Sequence, residues 1–393
     1  NRAALSRRAS RQLAPRQLNF DMAKDLSEVD LKQLDRVSIV IPSINHPSLL
    51  ERSIKYWQKI PIQVHILDGS KKPLFDIGDF KGLRINYRHQ PWGDEDNYSN
   101  FCNLMSLGTK FVDTEFAAIC GDDDFFTVSG LLKSINFLSS DSSVDAITGR
   151  TAYYLEGSSK VRWSIKGLSR IDNPKMRSDD VSERMNSGAP WAMYAICRTR
   201  PWKELFDISF DERLGHKDAH ELLVRELSRV MLRSKVIDHL VSVRQFTIPG
   251  SNMPEEISLS YWLRSELTLN SLAAIRSRLN RGVTFGSNVN KSVEFSEIVD
   301  SIISRYISAA SKERTVAVKS SRALSATAKR FFNRLPHFTK SVFFLVMKPQ
   351  TSLQGSRHGF RVFCLLLKRA KIPFNRDEMV IIDEIVSNRK IPL

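Results

Sequence analysis

Short apolar runs alternate with amphipathic stretches in the first part of the chain. The β-branched run Val37 to Ile41 is closed by Pro42-Ser43, which predicts a buried first strand. Residues 48–59 carry apolar side chains at helical spacing, and Ile62 to Leu67 predicts a second strand ending in Asp68-Gly69-Ser70. A strand, a helix and a strand joined by tight connections form a βαβ unit, which predicts a parallel sheet.

The alternation continues to about residue 232. Further predicted elements are a strand at 83–87, a helix at 98–108, a strand at 116–120, a strand at 192–197 and an amphipathic helix at 218–232. The segment 168–188 is rich in charge, Asn and Ser and weak in periodicity, so we expect a long loop there. This layout predicts an α/β fold with a mixed, mainly parallel, doubly wound sheet and flanking helices.

Turn signals and composition divide the chain into three parts. Residues 1–35 form a basic lead-in, residues 36–250 carry the α/β pattern, and residues 256–393 are helical and basic. Pro249, Gly250 and Pro254 mark the boundary. A chain of 393 residues is long enough for one large domain with an appendage or for two ordinary domains.

Positive charge is concentrated near the C-terminus. The net charge is +16, and the segment from Lys312 to Lys348 holds nine cations against one anion, Glu313. This concentration favours a docking surface, and no nucleic-acid partner is expected. Between Ala326 and Met347 cations stand among phenylalanines, which suits a segment lying on an anionic membrane surface; the alternative is that the phenylalanines close a helical core.

Several features bear on the compartment. Cys102, Cys120, Cys197 and Cys364 show no metal-type spacing, so we expect reduced, mostly buried thiols in a cytoplasmic protein, peripheral in one alternative at the inner face of the cytoplasmic membrane. No apolar stretch approaches the roughly 20 residues that span a bilayer. The first twenty residues are rich in Arg, Ser and Ala without an acid, as in organellar transit peptides; a solvated basic arm is the alternative.

Three adjacent carboxylates, Asp122-Asp123-Asp124, follow the apolar run Phe116 to Cys120 and a single Gly121. Carboxylates this close repel each other, and α/β sheets bind ligands at the carboxyl ends of their strands. A divalent cation would offset the repulsion, because hard cations prefer carboxylate oxygens. The alternative is an acidic turn or a helix cap that leads into Phe125-Phe126.

The order of these motifs resembles family 2 glycosyltransferases of the GT-A fold. Those enzymes open with a strand and a Pro-Thr/Ser turn, place Asp-Gly-Ser after the second strand and carry a metal-binding Asp-x-Asp motif. The corresponding segments are Val37 to Ser43, Asp68 to Ser70, Gly121 to Asp124, Phe210 to Asp218, and Glu221 to Leu223 with Val243 to Gln245. The final pair is similar to a bacterial surface-polysaccharide subgroup. The resemblance spans about residues 36–246, and Lys217 stands where the family has Glu.

The resemblance implies an inverting glycosyltransferase that moves a sugar from a nucleotide-diphosphate donor, first of all a UDP-sugar, to a glycan or lipid-linked acceptor in surface-polysaccharide synthesis. Negative charge grows on the diphosphate leaving group, so Mn²⁺ or Mg²⁺ is expected on Asp122 and Asp124. As alternate residues of an extended strand end, these two would converge. Asp123 would contact the ribose or the sugar; a solvated carboxylate is its alternative.

Further residues are assigned through the same resemblance. The Pro42-Ser43 turn and Asp68 would bind the donor, although Asp68 is equally explained as a turn residue before a glycine. Arg244 would bind the pyrophosphate or an anionic acceptor; otherwise it is a surface arginine. The acceptor hydroxyl must lose a proton, which needs a base, Asp218 or Glu221; both also suit the first turn of a helix through its macrodipole.

Two other classes of function compete with this one. A nucleotidyltransferase with a GT-A-like sheet can share the metal carboxylates, but residues 43–47 have neither Gly nor Lys for the phosphate loop such an enzyme needs. A non-catalytic basic protein that binds membrane or nucleic acid is supported by the basic tail alone. The resemblance favours the glycosyltransferase.

Overall fold

A computed structural model describes the chain in segments. It covers residues 26–76, 80, 82–91, 98–156, 161–166, 172–187, 194–211, 214, 217–245, 268–286, 297, 300, 301, 304 and 358–387. The first 25 residues, the boundary at 250–256 and the basic segment 312–348 lie outside the described residues, so the predictions made for them stay predictions. The three-part division of the chain is likewise a prediction.

The described strands form one nine-stranded sheet. They are β1 Val37–Ser43, β2 Gln63–Asp68, β3 Ile85–His89, β4 Phe116–Ile119, β5 Phe125–Phe126, β6 Ala146–Glu156, β7 Val161–Lys166, β8 Ile196–Arg198 and β9 Ser234–Gln245. The order is β3-β2-β1-β4-β8-β6-β9-β5, with β7 paired to β6. Only β5, β7 and β8 run against the others, so the predicted mixed, mainly parallel sheet is confirmed.

Helices cover both faces of the sheet. They are α1 Glu28–Leu34, α2 Pro47–Trp57, α3 Tyr98–Thr109, α4 Val128–Ser140, α5 Val181–Asn186, α6 Thr199–Ser209, α7 Lys217–Met231, α8 Thr268–Gly286, α9 Phe360–Arg369 and α10 Arg376–Ser387. Successive residues of β1 serve opposite faces: Ile39 and Ile41 pack into one core, and Val40 packs into the other. The sheet is therefore buried on both sides, as expected of a doubly wound fold.

The C-terminal helices complete these two cores. Phe363 of α9 and Ile382 of α10 are fully buried in the same core as Ile39. Leu279 of α8 is buried in the other core, against α7. The described part of the C-terminal region is thus helical, as predicted, and it packs on the sheet.

A buried carboxyl connects helix α10 to the centre of the fold. Glu378 of α10 is 3% exposed, and its carboxyl contacts the Tyr56 hydroxyl at 2.9 Å and accepts a bond from the Val128 amide at the start of α4. The Tyr56 hydroxyl also donates to the Phe126 carbonyl, 2.7 Å away. Burial raises the pKa of Glu378 to about 7, although the hydrogen bonds it accepts oppose the shift.

The segment 168–188 differs from the predicted long loop. It contains a 3₁₀ turn at Pro174–Arg177 and helix α5, whose first turn is capped by the Asp180 carboxylate. Both elements are too short to show a helical period in sequence, yet they bury Met176 and Met185. Local capping and two apolar anchors therefore order part of a segment that looked irregular.

Cysteines behave as expected where they are described. Cys120, Cys197 and Cys364 are buried and form no disulfide among the described residues, and burial raises the pKa of each thiol. The side chain of Cys102 lies outside the described residues. These thiols are therefore packing groups with little thiolate character.

Candidate active site

The sheet brings the predicted motifs to one edge. Strand β1 pairs in parallel with β2 on one side and with β4 on the other, so the strand order reverses at β1. The end of β1 is in register with the end of β2, because Ser43 pairs with Asp68. The acidic triplet follows β4 directly. Crevices at such reversal points, outside the carboxyl ends of the strands, are where open α/β sheets bind ligands.

The acidic triplet forms a turn. The Asp124 amide donates to the Gly121 carbonyl at 3.1 Å, which closes the turn directly after β4. The expectation of an extended strand end, which would make Asp122 and Asp124 converge as alternate residues, is therefore wrong. A Cβ on Gly121 would lie 2.9 Å from Asp123 Oδ1 and 3.1 Å from Asp124 Oδ2, so a larger residue here would require the two carboxylates to shift.

Asp122 faces the turn after β1. Its Oδ2 accepts a bond from the Ser43 hydroxyl at 2.7 Å and lies 3.2 Å from His46 Nδ1. Ser43 is 3% exposed and Asp122 is 8% exposed, so the link between the two strand ends is buried. Oδ1 of Asp122 has no hydrogen-bond partner within the described part of the chain, and it is available to a ligand.

Asp124 faces the other way, toward the end of β9. Its Oδ2 accepts from Arg244 Nε at 2.8 Å, and its Oδ1 accepts from the Gln245 amide at 3.1 Å. The Arg244 guanidinium lies 3.9 Å from the centre of the Tyr194 ring. Both oxygens of Asp124 are therefore engaged by β9 while Asp122 is engaged by β1.

Three carboxylates share this turn with one arginine. Burial, together with the charges of Asp124 and Asp122, raises the pKa of Asp123 to about 7. Burial also raises the pKa of Asp124, although Arg244 opposes the shift. Burial by itself would lower the pKa of Arg244, but Asp124 raises it. The turn therefore carries a formal excess of negative charge that a proton or a cation stabilises.

The donor set of the turn fits a hard cation only in part. No three His, Cys, Asp or Glu side chains of the described residues are arranged to hold a metal ion. Asp122 Oδ1 and the Asp123 carboxyl are the oxygen donors that remain available there. Mg²⁺ is commonly held by one or two carboxylates with substrate phosphates and waters. The residues present therefore fit an ion whose coordination is completed by a phosphorylated ligand.

Asp68 is bonded within the protein. It is fully buried; its Oδ1 accepts from the Ser70 amide at 2.9 Å, and its Oδ2 accepts from the Leu74 amide at 2.9 Å and from the Tyr87 hydroxyl. Burial and the bond to Asp68 raise the pKa of Tyr87 to about 12. These bonds make Asp68 the organiser of the loop after β2. Its direct contact with a nucleotide stays a prediction.

The two candidate bases lie in the first turn of α7. The backbone of this helix begins at Lys217, one residue before the predicted start, and Leu223 and Leu227 bury its inner face. The side chains of Asp218 and Glu221 lie outside the described residues. The identity of the base is therefore a prediction from the resemblance alone.

Two other groups lie at this edge that the sequence did not predict as site residues. The Tyr154 hydroxyl donates to the Asp123 carbonyl at 2.6 Å, and His46 contacts Asp122. Tyr154 lies on β6, thirty-one positions from its partner, and no local pattern indicates such a contact. His46 had a weak signal, because it directly follows the turn after β1.

No protein-family model matches the chain, and no curated protein matches it. Among solved structures, it is similar to S. aureus TarS residues 1–349, with 13% identity, a TM-score of 0.46, and coverage of 89% of this chain and 90% of that one. The same TarS fragment in complex with UDP-GlcNAc gives 11% identity and a TM-score of 0.46, and its complex with UDP gives 13% and 0.44. Such scores lie below 0.5, so the fold assignment rests on the strand order described above.

Proposed function

We propose that this chain is an inverting, metal-dependent glycosyltransferase of the GT-A type. It moves a sugar from a nucleotide-diphosphate donor to a glycan or lipid-linked acceptor in surface-polysaccharide synthesis. The observation that carries the proposal is the position of the Asp122–Asp124 turn, at the strand-order reversal beside the buried ends of β1 and β2. Ligands with phosphates and a cation suit this edge by location and by charge.

The chemistry of glycosyl transfer explains this distribution of charge. The anomeric bond breaks toward a diphosphate, so the site must stabilise negative charge that grows in the transition state. The resemblance assigns Mn²⁺ or Mg²⁺ to Asp122 and Asp124, and Arg244 and Gln245 bond the Asp124 oxygens in this structure. Such an ion, when bound, supplies Lewis-acid stabilisation of the leaving group. Arg244 adds a permanent positive charge at the same edge. Asp123 and the loop organised by Asp68 would bind the ribose and base.

The proposal is tested by donor hydrolysis. The full chain is incubated with Mn²⁺ and a panel of nucleotide sugars, beginning with UDP-GlcNAc, UDP-glucose and UDP-galactose, and free nucleotide diphosphate is measured. Release from at least one donor, lost on chelation, supports the proposal. A nucleotidyltransferase would instead release pyrophosphate from a nucleoside triphosphate and a sugar phosphate, and that outcome would replace the glycosyltransferase proposal.

The choice between the two bases has its own test. Asp218→Asn is expected to lower transfer to an acceptor about 100-fold or more while donor binding changes little, because a base acts in the chemical step. Glu221→Gln is the control, with a smaller loss expected. Donor affinity and the single-turnover transfer rate are measured for both. The opposite order of effects would identify Glu221 as the base.

Membrane attachment is part of the same proposal, in a cytoplasmic protein that docks at the inner face of the membrane. No helix within the described residues is long and apolar enough to cross a bilayer. Residues 314–376 contain fourteen Lys and Arg and no acid. Helix α9 lies inside this stretch and exposes Arg361, Leu365 and Lys368 at helical spacing, with Leu365 45% exposed. Cations around an exposed leucine suit an anionic lipid surface.

Liposome flotation measures this attachment. The chain is expected to float with anionic liposomes at low salt and not with neutral ones. Changing Arg361, Leu365 and Lys368 together to Gln is expected to weaken binding at least about tenfold, because each cation near the surface contributes about 1 kcal/mol. A control that removes the same number of cations changes Lys32 and Arg84, two exposed cations elsewhere, to Gln. Equal binding to both lipid types would remove the membrane from the proposal.

A further inference from the structure

Arg244 is hydrogen-bonded to Asp124, one of the two carboxylates to which the metal is assigned. Its Nε lies 2.8 Å from Asp124 Oδ2, and the neighbouring Gln245 amide holds Oδ1 at 3.1 Å. The Asp124 side chain is only 6% exposed, so water contributes little to its solvation. While this pair is intact, a cation approaching Asp124 must displace a charged hydrogen bond in a poorly solvated place, which weakens cation binding.

The same arginine has hydrogen-bond donors that Asp124 does not use. Its side chain is 26% exposed, and its two Nη groups have no hydrogen-bond partner among the described residues. A guanidinium offers five N–H donors in a fork that matches phosphate oxygens. Tyr194 supports the plane of the guanidinium from one side at 3.9 Å. Arg244 is therefore built to hold a second anion besides Asp124.

We infer that Arg244 couples metal binding to donor binding: it holds Asp124 in the donor-free protein and transfers to the donor diphosphate, which leaves Asp124 available to the metal. The inference rests on the proposed function and goes beyond it, because it specifies how the two ligands depend on each other. Competition between arginine and metal for Asp124 weakens metal binding to the free protein. The donor diphosphate competes with Asp124 for Arg244, and when it binds the arginine, Asp124 becomes available to the metal.

The coupling has a defined thermodynamic form. If the donor strengthens metal binding by some factor, the metal strengthens donor binding by the same factor. Typical couplings of this kind are about 5- to 150-fold. An arginine that only bound diphosphate would add affinity for the donor, and its removal would not strengthen metal binding in the absence of nucleotide.

Mn²⁺ binding to the full chain separates these cases. Free Mn²⁺ is measured by electron paramagnetic resonance, with and without saturating UDP. In the wild type, UDP is expected to strengthen Mn²⁺ binding about tenfold or more. Arg244→Gln is expected to strengthen Mn²⁺ binding without UDP about tenfold, to weaken UDP binding, and to lose most of the effect of UDP on Mn²⁺.

Two further variants distinguish an effect of Arg244 itself from a general disturbance of the fold. Arg244→Lys keeps a positive charge beside Asp124 and is expected to fold and to shift both affinities in the same directions by a smaller factor, because an ammonium lacks the guanidinium fork. Arg233→Gln breaks the comparable buried pair with Asp145, whose Oδ2 lies 2.9 Å from Arg233 Nε, and should change neither affinity.

The inference stands or falls on whether the Arg244 variants bind Mn²⁺ more tightly than the wild type in the absence of nucleotide. Mn²⁺ binding to nucleotide-free Arg244→Gln and Arg244→Lys that is equal to or weaker than wild type overturns the coupling, while donor hydrolysis by the wild type would leave the proposed function standing. UDP binding without any Mn²⁺ binding in every protein overturns both the metal assignment and the coupling. Absence of donor hydrolysis with every nucleotide sugar, alongside coupled UDP and Mn²⁺ binding, overturns the glycosyl-transfer proposal alone.

Discussion

Asp122→Asn and Asp124→Asn are each expected to lower metal-dependent donor turnover by about 100-fold or more. Each change removes a negative charge from the turn that would hold the metal, and Asp122→Asn also weakens the buried link to Ser43. Turnover is measured while Mn²⁺ is raised from trace levels to millimolar. If these residues are metal ligands, the residual activity of each variant should require a higher Mn²⁺ concentration than the activity of the wild type does.

Loss of activity through misfolding has a matched control. Asp145 resembles Asp124 closely, because each carboxylate accepts a bond from an arginine Nε and from a backbone amide. Asp145→Asn therefore disturbs a similar buried pair away from the turn, and it should retain donor turnover. Wild-type rates in both Asp122→Asn and Asp124→Asn at trace Mn²⁺ would show that the turn does not bind the metal.

Glu378→Gln is expected to become more stable than the wild type as the pH rises. The pKa of Glu378 is raised from 4.5 to about 7, mainly by burial, so the folded state binds this proton more tightly than the unfolded state. Ionisation therefore costs the wild type stability as the pH rises through that window, and the cost is constant above it. Between pH 4 and pH 8 the difference in unfolding free energy should move in favour of Gln by about 3 kcal/mol.

The hydrogen bonds around this group favour the ionised form and so limit the rise of its pKa, which burial causes. The Tyr56 hydroxyl has one proton, and the Phe126 carbonyl at 2.7 Å can only accept it. Glu378 Oε1, 2.9 Å from the same hydroxyl, is also an acceptor, so the two acceptors share that proton. The carbonyl oxygen of glutamine can accept the same bonds from Tyr56 and Val128, so the variant should have about the stability of the wild type at low pH and should exceed it near neutrality.

Urea unfolding at several pH values measures this difference. Taking the difference between two proteins cancels contributions from Asp123 and other groups that both contain. Glu226→Gln is the control, because Glu226 is a buried glutamate paired with Arg229, and removing an ion pair should give no gain above pH 7. A difference for Glu378→Gln that stays constant with pH would mean that Glu378 remains ionised in the folded protein.

The parallel half of the sheet was predictable because each element there is locally consistent. Strands β1 and β2 are short apolar runs, β3 alternates apolar and polar residues, and α2 and α7 carry clear helical stripes. Strands β6 and β9 were not predicted, since they mix polar and apolar residues and a register shift interrupts their pairing. Their burial comes from neighbours distant in sequence, which local patterns do not encode.

The candidate site shows the same division. The triplet was placed correctly at the end of a buried strand, because the apolar run before it is unambiguous. Its geometry was not predictable, since one hydrogen bond from Asp124 to Gly121 decides between an extended end and a turn. The partners of the carboxylates, Ser43 and Arg244, are 79 and 120 positions away from them.

The packing of the last helices also sets when the chain can finish folding during synthesis. Phe363 of α9 stacks on Trp163 with ring centres 5.6 Å apart, and both rings are fully buried. A nascent chain that has reached residue 250 has the strands but not this covering, and translation at about 5–20 residues per second needs on the order of 10 s more to supply it. For that interval an apolar face of the sheet stays open to chaperones or to neighbouring chains on the same messenger RNA.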